Sequence, residues 1–109
     1  MVYDEDLAMR VREIVREREG VHEQKMFGGI AFMVGGNMAV GVNGSDLIVR
    51  VAPSDGEAAL AEPHVRPMDF TGRPMKGWLF VGPGAVSNEE ALRAWVDRGV
   101  GFAASLPKK

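Results

Sequence analysis

Apolar residues recur every three or four positions across residues 4–19, DEDLAMRVREIVRERE. Leu7, Val11, Ile14 and Val15 fall on one face there, and charge fills the others. The spacing predicts a helix. Asp4, Glu5 and Asp6 suit its positive end, and Gly20 is placed to stop it. From Met26 to Val51 the period drops to two. Ile30, Phe32 and Val34 share one face of a strand, Met38, Val40 and Val42 one face of a second. Leu47, Val49 and Val51 complete a third, with Arg50 pointing the other way. Gly35-Gly36-Asn37 and Asn43-Gly44 supply turns, and connections this short require antiparallel neighbours.

Beyond Pro53 the pattern becomes helical again. SDGE at 54–57 reads as a capping box, Ser54 with Glu57, opening a short helix through Leu60 that Pro63 ends. The stretch RPMDFTGRPMKG, 66–77, repeats the triplet Arg-Pro-Met around Thr71-Gly72. A tight turn there sets Phe70 opposite Arg73, Asp69 opposite Pro74 and Met68 opposite Met75. Neither proline has an N–H for a ladder, so the segment is a projecting hairpin tip or an ordered loop, not the middle of a sheet. GWLFV at 77–81 reads as a buried strand. Ser87 and Glu90 form a second capping box before a last helix bearing Leu92, Trp95, Val96, Phe102, Ala103 and Leu106. Gly99 and Gly101 each weaken that helix by up to about 1 kcal/mol, which predicts a bend or an early end. The expectation is one α+β domain over residues 1–109, with a five-stranded antiparallel sheet in the order α-β-β-β-α-β-β-α.

Length and composition narrow the chemistry. A chain of 109 residues with 46% hydrophobic content builds one core. Its formal charge of −2 speaks against direct nucleic-acid binding, which depends on neutralising phosphates. The absence of cysteine removes disulfides, thiolate chemistry and Cys-based zinc sites. No opening apolar stretch and no run near the ~18 apolar residues of a membrane span are present, so a soluble cytoplasmic protein is expected. GVGFAA at 99–104 matches a dinucleotide fingerprint but lacks a βαβ setting. His22 and His64 lack metal-ligand spacing, and Ser45, Ser54, Ser87 and Ser105 lack a nucleophile elbow. Gly28 and Gly29 in KMFGG read as a β-bulge or a close backbone approach. No catalytic constellation, metal site or cofactor is expected. The one unusual region is cationic: Arg66, Arg73 and Lys76 stand against Asp69, with Lys25 added from KMFGG. Met68 and Met75, with Met26, offer pliable apolar surface beside those charges. These residues are the candidate interaction or anion-binding set; the plainer reading puts the methionines in the core and the cations in water.

KMFGGIAFMVGGNMAVGV at 25–42, LIVRV at 47–51 and RPMDFTGRPMKGWLFV at 66–81 together resemble the N-terminal domain of the TfoX/Sxy family, and LRAWVDRGVGFAASLPKK resembles its last helix and tail. The resemblance runs from about Asp4 to Lys109. It implies a curved antiparallel sheet packed by helices, similar to the secretion-chaperone-like fold. It also implies a stand-alone form without the helical C-terminal domain of full-length members, which regulate natural competence with the cyclic-AMP receptor protein. The family has no catalytic residues to carry over. The resulting expectation is a non-enzymatic regulatory or protein-interaction module with an unidentified protein partner. The alternative is a small-ligand or anion binder using Arg66, Arg73 and Lys76. A homodimer is expected, because Trp78, Trp95 and several methionines on so small a sheet leave apolar surface to cover.

Overall fold

Asp4 begins the first helix: its carboxylate accepts the Leu7 amide at 3.1 Å, satisfying one of the donors that a helix start leaves unpaired. The computed structural model describes residues 3–18, 20–26, 28–68 and 76–108. In it α1 spans Glu5–Val15 and closes at an Arg16 cap, with Leu7, Val11, Ile14 and Val15 buried as their spacing requires. Six strands follow among the described residues: β1 (Val21–Met26), β2 (Gly29–Val34), β3 (Asn37–Asn43), β4 (Asp46–Arg50), β5 (Val65–Pro67) and β6 (Trp78–Val81). Helix α2 (Pro53–Leu60) separates β4 from β5, and α3 (Glu89–Ser105) ends the chain after a 3-10 turn at Pro83–Ala85. The strands form one sheet, β1-β2-β3-β4-β6-β5, and every neighbouring pair is antiparallel.

The α+β class and the antiparallel sheet agree with the sequence pattern; the count of five strands does not. The added strand is β1. Its sequence VHEQKM does not alternate, because it lies at the sheet edge and residues 22–25 are exposed on both faces. The turns fall as expected or one residue on. Val34 and Asn37 enclose Gly35-Gly36, both at positive φ (58° and 84°), and Asn43 and Asp46 enclose Gly44-Ser45.

A register shift between Phe32 and Met33 pairs them with Val40 and Met38, leaving Ala39 as a bulge. The bulge turns Met38 to the opposite face from Val40 and Val42, so the three do not share a face. Two apolar clusters result. On one face Phe32, Val40, Leu47, Val49, Leu79 and Val81 pack beneath α1 and α3, including Trp95. On the other, Ala31, Met33, Met38, Ile48 and Met68 are buried, with Trp78 and Phe80 packed against them.

Both proposed capping boxes are corrected. Pro53 occupies the first helical position of α2, where a missing N–H costs nothing, and Ala52 precedes it without a side-chain cap. The cap of α3 is Asn88, whose side chain accepts the Ala91 amide at 2.7 Å, while the Ser87 hydroxyl bonds the Gly84 carbonyl. Helix α3 passes through Gly99 and Gly101 without a break.

The hairpin register is corrected too. Arg66 pairs with Phe80 and Pro67 with Leu79, and the Met68 amide donates to the Trp78 carbonyl at 3.1 Å. Met68 therefore stands opposite Trp78 and not Met75; residues 69–75, with the Thr71-Gly72 turn, lie outside the described residues. On either side of Pro67 the His64 carbonyl accepts the Gly82 amide, just past β6, and the Met68 amide donates to Trp78, so the proline nitrogen faces away from the sheet on an outer strand.

Across the helical face, Arg12 of α1 grips Glu23 of β1 with two hydrogen bonds of 2.6 and 2.7 Å. That hydrogen bonding, reinforced by charge, holds the Glu23 carboxyl below its ordinary range and raises the Arg12 guanidinium. No helix of the described residues is long and apolar enough to cross a membrane.

Candidate interaction surface

Alternation along β6 sends Leu79 and Val81 into the helical core and leaves Trp78 and Phe80 half-buried on the other face. Each aromatic ring carries an arginine. The Arg50 guanidinium lies 4.9 Å from the Trp78 ring centre and 5.4 Å from that of Phe102. Arg66 lies 5.2 Å from Phe80 and donates to Asp46 at 2.6 Å. Both stacks follow from register, since Arg50 pairs with Trp78 and Arg66 with Phe80.

Helix α2 docks beside this ladder. Gly77, at φ +81°, lets its carbonyl accept the Val51 amide at 2.7 Å; a Cβ there would meet the Val51 oxygen at 2.5 Å. Gly56 faces Gly77 closely, which brings α2 down onto the start of β6. Between them opens a cleft of about 300 Å³ lined by Pro53, Glu57, Leu60, Pro67, Lys76 and Trp78. Leu60 is one of two large hydrophobic residues exposed among the described residues; the other is Met9, on α1.

The predicted set divides. Lys76 is exposed and lines the cleft with Pro67. Arg66 is near but held by Asp46 and Phe80. Met68 is 1% exposed within the second cluster, so it packs the sheet instead of presenting surface. Lys25 is exposed on β1, at the opposite edge of the sheet from Arg66. Arg73 and Met75 lie outside the described residues, as does the Met26 side chain. Leu60 and Arg50 were missed, and Trp78 entered only as apolar surface for a dimer; the alternation of WLFV signals its exposed face, but nothing local signals the approach of α2. His22 and His64 stand in β1 and beside β5, at opposite edges, and no group of three metal-ligating side chains occurs among the described residues.

Neither a curated protein nor a solved structure gives a significant match to the chain. The profile of the TfoX N-terminal domain matches residues 13–103, which takes in the whole sheet, α2, the last three residues of α1 and all but the last two of α3. The chain therefore belongs to the TfoX N-terminal domain family.

Proposed function

We propose that this domain is a non-enzymatic regulatory module that binds a protein partner, seating an apolar side chain of that partner in the cleft between α2 and β6. One observation carries the reading: Leu60 and Trp78 present apolar surface at a concave site, with Lys76 and Glu57 at its rim. Tryptophan is among the residue types on which binding energy concentrates at the centre of an interface. Membership of the TfoX N-terminal domain family favours a regulatory or interaction role. In this reading the domain acts in the cytoplasm on transcription through a protein, not by touching DNA. Arg12, Arg16, Arg18, Arg66, Arg93 and Arg98 each lie against a carboxylate, an arrangement that neutralises charge locally instead of gathering it for phosphates.

A second reading, a small-ligand or anion site, is favoured by the cleft size, at the lower end of the roughly 300–1,000 Å³ typical of ligand pockets, and by Lys76. A photo-crosslinking residue at position 60, compared with one at Met9, tests the first reading in cells. A protein captured from position 60 alone, whose binding weakens about tenfold on Leu60→Asp, supports it. Equal capture from both positions, or none, overturns it. A metabolite that raises Tm in wild type but not in Lys76→Ala establishes the second reading in its place.

A further inference from the structure

The two edges of the sheet are built differently. Strand β5 is three residues long and carries Pro67, which cannot donate to a ladder. Strand β1 is six residues long and contains no proline, and His22, Glu23, Gln24 and Lys25 are exposed along it. Nothing among the described residues pairs with its outer side.

The direction of its backbone groups follows from the turns. Met26 and Gly29 close a two-residue loop, and a pair in that position is hydrogen-bonded. Alternation then directs His22, Gln24 and Met26 toward β2, and turns the N–H and C=O of Val21, Glu23 and Lys25 outward. The neighbouring hairpin requires the same parity. Val34 and Asn37 close their own two-residue loop, which commits Val34 to β3 and Met33 to His22.

A second copy offers the same outward groups, so an antiparallel pairing must set odd-numbered residues against odd-numbered ones. Four symmetric registers satisfy this. Centring on Glu23 sets two carboxylates against each other, and centring on Lys25 sets two ammonium groups against each other. Centring on His22 overlaps only three residues of each strand. Centring on Gln24 sets Glu23 of each copy against Lys25 of the other, with both pairs hydrogen-bonded through the backbone.

We propose that two copies of this chain join through β1, antiparallel and centred on Gln24, to make one continuous sheet. The two-fold axis stands perpendicular to the sheet, so α1 and α3 of both copies lie on one face. The Glu23–Lys25 pairs fall on that face, where the Glu23 carboxylate already accepts two hydrogen bonds from Arg12. On the other face the two Gln24 side-chain amides meet across the axis. The surface lies across the sheet from the cleft and does not depend on what the cleft binds.

The chain has no cysteine, which makes the register directly testable. Gln24 faces itself in a non-hydrogen-bonded pair, with Cα atoms about 4.5 Å apart, inside the roughly 4.4–6.8 Å range of disulfides. Mild oxidation of Gln24→Cys should give a covalent dimer, and His22→Cys, opposite Met26, should not. In sedimentation at high micromolar concentration the wild type should run at twice the chain mass. Lys25→Glu and Glu23→Lys should each run as single chains, and an equal mixture should recover the double mass, because one chain then carries two carboxylates and the other two ammonium groups. Lys25→Pro removes one outward N–H and no bond to β2. It should therefore keep the far-UV spectrum and abolish pairing even if a charge variant fails to fold. A wild type that runs at chain mass overturns the proposal. So do pairing that survives both Lys25→Glu and Lys25→Pro, and cross-linking at position 22 without cross-linking at 24.

Discussion

Gly99 and Gly101 sit two residues apart in α3 under opposite constraints. A Cβ on Gly99 would lie 2.5 Å from the Ala39 carbonyl oxygen and 2.6 Å from Val40 Cγ1, whereas one on Gly101 meets nothing within 4 Å. Gly99→Ala should therefore destabilise the domain by about 1–3 kcal/mol through overpacking, outweighing the gain of about 1 kcal/mol in helix propensity. Gly101→Ala should stabilise it by about 0.5–1 kcal/mol. Urea titration of the two variants reads both signs. In the sequence both glycines look like the same helix weakener. The difference lies in the bulge at Ala39, a distant contact that no local pattern encodes.

Glu23 gives a pH-dependent prediction at the same scale. Its carboxyl binds a proton less readily in the native state than in the unfolded chain. The stabilisation from Arg12 is thus complete above the ordinary glutamate range and is lost as pH falls through the native titration. Both side chains are more than a third exposed, at 43% and 35%, so the effect is at most about 1 kcal/mol. Wild type should lose stability more steeply than Glu23→Gln on acidification, as followed by the urea midpoint at a series of pH values.

Among the elements, α3 shows where a local motif and the realised cap part company. The sequence offers Ser87 with Glu90, but Asn88 accepts the Ala91 amide. Asn88→Ala should cost about 1 kcal/mol, and Ser87→Ala less than about 0.5 kcal/mol, in thermal or urea unfolding. Strands β2, β3 and β4 were legible as apolar runs bounded by turn residues, because both faces of each are buried. Strand β1 was not, since an edge strand exposed on both faces has no reason to alternate. The candidate surface follows the same logic. Trp78 and Phe80 could be placed on one face from spacing alone. The Arg66–Asp46 bond could not, because β6 inserts between β4 and β5 and brings distant residues within reach.

For the whole molecule, one sheet serves two apolar clusters. Strands β2, β3, β4 and β6 contribute to both, so neither cluster can dissolve while the other persists. Trp95 reports the helical side and Trp78 the opposite side. In Trp78→Phe and in Trp95→Phe, the remaining tryptophan's fluorescence and the far-UV signal should share one midpoint. Separate midpoints in either variant would mean that the two faces unfold independently.

Pro67 also limits how large an assembly can become. Backbone-to-backbone growth needs a receptive margin on each newcomer, and among the described residues this chain has one to offer. Once β1 is used, the pair exposes a proline-bearing strand at both ends and cannot recruit a third member. Raising the concentration should therefore fill a closed two-chain species, with no filaments forming.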